Sequence, residues 1–206
     1  MTHWLNSTAL RLLGEDASWA ELLGFVTGLV NVWLVVRQHI LNWPIGILNV
    51  VLLMVAFWGA GLYADAGLQI VYVVLGAYGW WQWLFGGADR SRLTVRRTGR
   101  GEWIALAVAG PVLTALLWWP LDTVMRSTVP LADAGTTALS LLATYGQCRK
   151  LLENWWFWIA ADVVYIPLYA YKHLYLTAVL YVVFLGLCVI GLRAWLVDAR
   201  RAPVAA

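Results

Sequence analysis

The chain has 206 residues, of which 62% are hydrophobic and only 12% charged. A soluble domain would carry about a quarter charged residues, so the composition excludes an ordinary soluble fold. The net charge of +3 suggests no nucleic-acid partner, and fifteen tryptophans suit a chain with two membrane interfaces, where indoles collect.

Met1 to Ala17 lacks the apolar core of a cleavable signal and carries Glu15 and Asp16, so it reads as a short surface segment. Seven apolar stretches follow, each near the roughly 17 to 25 residues that a span requires. The first, Trp19–Val36, offers Thr27, Gly28 and Asn31 as small or polar groups. The second, Pro44–Gly61, is preceded by Asn42 and contains Gly46 and Asn49; its proline falls in the first turn, where the missing N–H costs nothing. The third, Ala66–Phe85, continues a stripe of Asp65, Gln69, Tyr72, Gly76, Gly79 and Trp83.

A basic run from Gly86 to Gly101 separates the third span from the fourth, Trp103–Trp119. It reads as an anchor on anionic lipid. The fifth span, Leu131–Gln147, is semi-polar, with Thr136, Thr137, Ser140, Thr144 and Gln147. The sixth, Trp155–Tyr171, carries Trp155, Trp158, Asp162, Tyr165 and Tyr169 on one helical face. The seventh runs from Tyr175 to Leu196 and contains Tyr181. Tryptophans at span ends, namely Trp83, Trp103, Trp118 and Trp195, are expected to be interface anchors. Cys148 and Cys188 fall inside these helices, so no disulfide framework is expected.

The chain also contains its own second copy, displaced by 112 residues without a gap. Asn42-Trp43 falls on Asn154-Trp155, Leu62-Tyr63 on Leu174-Tyr175, Gly79 on Gly191 and Trp83 on Trp195; upstream, Arg37 falls on Arg149. Two copies of three helices joined by a single linker helix must run parallel, related by an axis along the membrane normal. The expected fold is therefore an all-α membrane protein of seven transmembrane helices in a 3+1+3 plan. Repeat one covers about 18–85, the linker helix about 103–120 and repeat two about 131–196. Orientation follows from Lys and Arg placement: three (Arg11, Arg126, Lys172) lie on one side and eleven on the other. The C-terminus is expected in the cytoplasm and the N-terminus outside.

An ionised Asp162 near mid-span costs roughly 2.5–3.5 kcal/mol on insertion scales. It needs a wet cavity or a partner. Flanked by indoles and phenols, it suits a flat cationic heteroaromatic ligand held by stacking, cation–π attraction and hydrogen bonds; a neutral or paired Asp that holds helices together remains the alternative. Gln69 falls on Tyr181 under the shift. His3, His39 and His173 are dispersed, and no Walker motif is present. No metal site, cofactor or enzyme chemistry is expected.

The segments "LLENWWFWIAADVVYIPLYAYKHLYLTAVLY" and "GLYADAGLQIVYVVLGAYGWWQW" resemble the PnuC family of bacterial vitamin transporters. The resemblance implies a SWEET-like seven-helix fold, a homotrimer in the inner membrane, and uptake of nicotinamide riboside or thiamine. It further implies facilitated diffusion driven by a cytoplasmic kinase that phosphorylates the substrate. It places Glu153, Asn154, Trp155, Trp158 and Gln69 around the substrate; the stripes add Asp162, Tyr165, Tyr72, Tyr181 and Asn49. Asp162 stands where nicotinamide riboside transporters tend to carry Asn, which leaves the substrate open. A non-transporting assembly factor or sensor is the more distant reading.

Overall fold

The computed structural model describes residues 8–12, 15–59, 61, 63–123, 128–171 and 173–201. Met1 to Ser7 (with His3), Arg126 and Lys172 lie outside the described residues. Seven helices account for nearly all of the rest: α1 (Trp19–Val36), α2 (Asn42–Gly59), α3 (Tyr63–Phe85), α4 (Arg100–Thr123), α5 (Pro130–Cys148), α6 (Asn154–Tyr171) and α7 (Tyr175–Arg201). Within the expected surface segment a short antiparallel hairpin pairs β1 (Thr8–Leu12) with β2 (Glu15–Ser18). Among the described residues, α2, α4 and α7 are the three helices both long and apolar enough to cross a membrane by length and composition.

Helix ends fall where the sequence supplies a turn, and the same turns recur 112 residues apart. α1 stops before Gln38 and α5 before Lys150, both left-handed, with φ of 51° and 47°. An L-residue rarely adopts that region; here the turn bonds hold it, Gln38 N–H to the Val35 carbonyl at 2.9 Å and Lys150 N–H to that of Gln147 at 3.1 Å. The asparagines that open α2 and α6 close these corners: the Asn42 amide donates to the His39 carbonyl at 2.7 Å, and Asn154 to that of Leu151 at 2.5 Å. At the opposite ends, Gly61 and His173 are again both left-handed.

Four tryptophans form the centre of the core. Trp43 meets Trp83 edge-on at 5.3 Å and Trp155 meets Trp195 edge-on at 5.4 Å, while Trp83 and Trp195 lie 6.1 Å apart. Trp83 donates its indole N–H to the Gln147 carbonyl at 2.9 Å, and Trp195 donates to that of Val35 at 3.1 Å. The first set of helices thus bonds to the second as the second bonds to the first. Trp83 and Trp195 are 3% and 0% exposed: they are core residues rather than the interface anchors expected from their place at span ends. A backbone carbonyl at the end of a neighbouring helix offers the indole a better partner than the interface would. Trp103 and Trp118, by contrast, are exposed.

The basic run between α3 and α4 is tied down rather than loose. Val95 is buried, Arg96 N–H bonds to the Lys150 carbonyl, and Leu152 N–H bonds to that of Arg96. Glu153 accepts from both the N–H and hydroxyl of Thr98, at 2.8 and 2.7 Å. Arg96 also forks onto Glu102 at 2.6 and 2.7 Å. This strap holds the α5–α6 corner.

A candidate substrate cavity

A cavity of about 430 Å³ lies between the helices, lined from α1, α2, α3, α5, α6 and α7, within the range usual for small-molecule sites. α6 supplies its most distinctive wall. Trp155, Trp158, Asp162 and Tyr165 all face the cavity, as their shared helical face requires. Asp162 is 3% exposed, and the Cys188 thiol donates to its Oδ2 at 3.5 Å.

The far wall is phenolic. Tyr165 and Tyr181 lie 4.8 Å apart, Tyr169 sits 5.1 Å from Tyr181 and stacks on Tyr165 at 5.5 Å, and Phe184 meets Tyr181 edge-on. α3 faces this wall with Asp65, Gln69, Tyr72 and Gly76. Asn49 lines the cavity too and ties α2 to α1, donating to the Gly24 carbonyl at 3.0 Å and the Thr27 hydroxyl at 2.6 Å.

The lining therefore offers carboxylates, amides, hydroxyls, indoles and phenols, but no Lys or Arg. Such a site can hold a flat ring between aromatic faces and satisfy its polar edge. It offers no Lys or Arg side chain to fork onto a phosphate. Among the described residues no group of three His, Cys, Asp or Glu side chains is placed to hold a metal.

Of the residues expected at the site, Asp162, Trp155, Trp158, Tyr165, Gln69, Tyr72, Tyr181 and Asn49 line the cavity. Asn154 and Glu153 do not: the first holds the α6 corner and the second holds the strap. Gly28 and Asn31 of the first span and Ser140 and Thr144 of the semi-polar fifth line it as well.

Residues 18–197 match the family model described as nicotinamide mononucleotide transporter. The chain belongs to this family. Similar curated proteins include the riboflavin/roseoflavin transporter RibM of Streptomyces davaonensis, 32% identical over 97% of this chain and 94% of that protein. The nicotinamide riboside transporter PnuC of Escherichia coli is 26% identical over 91% of this chain and 89% of its own length. A solved structure, described as the crystal structure of the vitamin B3 transporter PnuC, shares the fold with a TM-score of 0.69 at 24% identity, covering 89% of this chain and 83% of that one. The membership makes the seven-helix chain a multi-pass membrane protein of a transporter family.

The lining residues not singled out for the site from sequence include Trp43, Phe184 and Cys188. Of these three, Trp43 carried a signal, its match to Trp155 under the 112-residue shift. Phe184 and Cys188 are unremarkable members of an apolar helix.

Proposed function

We propose that the chain is an inner-membrane facilitator for uptake of an unphosphorylated vitamin precursor, with nicotinamide riboside as substrate. Asp162, Trp155, Trp158, Tyr165, Gln69, Tyr72, Tyr181 and Asn49 form its binding site, with Asn154 supporting Trp155. A cytoplasmic kinase draws the flux inward by phosphorylating the product. The helices adopt a SWEET-like 3+1+3 plan of parallel repeats, with the N-terminus outside, the C-terminus in the cytoplasm and three copies assembled in the membrane.

The observation that carries this reading is a cavity between the helices whose carboxylate, Asp162, is flanked by stacking faces and whose lining holds no Lys or Arg. An anionic aromatic cavity favours a cationic ring. The missing cation argues for the nucleoside over its phosphate. A second reading, riboflavin as substrate, is favoured by the relative that is 32% identical. Riboflavin carries no positive charge.

Counter-flow of labelled nicotinamide riboside, riboflavin and thiamine into proteoliposomes tests the reading, together with Asp162→Asn. That substitution should weaken the cationic vitamin by about 1–2 kcal/mol, the margin of a charge-assisted contact over a neutral one, and leave riboflavin little changed. Exchange of riboflavin alone would replace the first substrate by the second. No exchange of any vitamin would end the transporter reading.

A further inference from the structure

Three pairs of residues 112 apart in the chain stack at the strap end of the cavity. Val35 and Gln147 line it. Their carbonyls accept the indole N–H groups of Trp195 and Trp83, which are 0% and 3% exposed and are not among the lining residues. Three residues further on, at the left-handed corners, Gln38 and Lys150 meet each other: the Lys150 ammonium donates to Gln38 Oε1 at 3.1 Å. The Gln38 amide in turn donates to Asp198 Oδ2 at 2.6 Å. The same ammonium lies 4.4 Å from the centre of the Trp83 ring, which joins the two layers.

On the proposed plan of parallel repeats, residues 112 apart can meet only near the axis that relates the copies. Trp83 with Trp195, and Gln38 with Lys150, therefore mark that axis in two layers. A molecule leaving the cavity between the copies at this end has to part both. The layer farther from the cavity is poorly suited to permanent closure. Lys150 is 8% exposed, and taking an ammonium out of water costs free energy that its neighbours have to offset. Among the described residues it has one hydrogen-bond acceptor, Gln38, and one indole face. Arg92 repels it, and Asp198 is joined to it through the Gln38 amide. Parting the pair gives the charge back to water.

We propose that Gln38 and Lys150 are the far layer of a gate at the strap end, closed in this structure, and that the buried ammonium keeps the closed state shallow enough to open in each transport cycle. Trp83 and Trp195 form the near layer. The proposal rests on the transport function proposed above and adds the place of exit. Its two polar members act in opposite directions. Without the Gln38 side chain the ammonium is buried with no acceptor, which favours the open gate. Without its charge, residue 150 gains nothing by reaching water, which favours the closed one.

Labelling of Cys188 tests the gate without any substrate, so its failure is distinct from a failure of counter-flow. Cys188 lines the cavity, whereas Cys148 is fully buried and does not. A charged, membrane-impermeant methanethiosulfonate is applied to the full chain in sealed vesicles whose outer face carries the strap, as tryptic cleavage between Arg90 and Arg100 shows. Mass spectrometry then reads the rate of modification at each cysteine. Gln38→Ala should speed labelling of Cys188 by about ten-fold, the loss of one bond to a charged group. Lys150→Met, which keeps the apolar stem, should slow it by a similar factor. Cys148 should stay unlabelled in both. Equal rates in the parent and both variants would mean that the exit lies elsewhere, and overturns the gate. A change of the same sign in both variants, or a rise at Cys148 beside Cys188, would make the pair a packing contact, and overturns it too.

Discussion

Lys150 shows how a single residue outside the spans is held between opposing demands. It is 8% exposed, its ammonium donates to Gln38 Oε1 at 3.1 Å, and it lies 4.4 Å from the centre of the Trp83 ring. Burial pulls its pKa down to about 8, with Arg92 pushing the same way and Asp198 opposing. The folded state thus binds fewer protons than the unfolded one between about 8 and the ordinary Lys value, and stability rises with pH through that window. Lys150→Met keeps the apolar stem and should flatten the rise in Tm between pH 8 and 10.5; an unchanged pH slope would show that Lys150 does not titrate there. Trp83→Phe and Trp195→Phe should each cost about 1 kcal/mol, since each removes one of the two hydrogen bonds that a buried carbonyl accepts while the turn N–H keeps the other, and thermal melts in detergent measure this.

Residue type and spacing made the α6 stripe legible. A carboxylate among aromatics on one face is costly in lipid, so its presence needs a reason. Trp83 and Trp195 were misread because position within a span does not reveal a carbonyl on another helix. Cys188 was invisible for a similar reason: its meaning comes from Asp162 lying 3.5 Å away, a fact of tertiary packing.

At the scale of elements, two glycines fix the closest approach between helices. α2 rests on α3 where Trp43 covers Gly79, and α6 rests on α7 where Trp155 covers Gly191. Either glycine to Ala forces a trapped indole to move. Each should destabilise by about 1–3 kcal/mol, the usual cost of overpacking, whereas Gly186→Ala, with no atom within 4 Å of its added methyl, should be near neutral. Similar melts for all three would refute the wedge. Helix bounds were readable to within a few residues because lipid length sets them. α7 extends to Arg201, beyond the expected Leu196, because charged residues leave the hydrocarbon without having to leave the helix. The pairing of the strap was not legible, because only the α5–α6 corner gives it an edge to bond.

For the whole molecule, the proposed orientation predicts that reporters fused in the 90–100 strap and at the C-terminus respond from the cytoplasm alone. Periplasmic activity at either point would reverse the plan. The lining without Lys or Arg likewise predicts that nicotinamide mononucleotide fails to exchange in proteoliposomes that exchange the nucleoside.

The reciprocal tryptophan bonds carry a consequence for ancestry and engineering. A bond from α3 to α5 answered by the same bond from α7 to α1 is what two identical chains make across a two-fold axis, where one patch serves both partners. On the proposed 3+1+3 plan the chain is a dimer made permanent by one extra helix, and α4 is its tether. Two separately expressed pieces, cut in the α4–α5 connection, should find each other in the membrane through Trp83 and Trp195. Fusion freed the halves to diverge: Asp162 lies opposite Val50, Tyr181 opposite Gln69. Having lost its symmetry, the cavity can grip an asymmetric molecule by both ends.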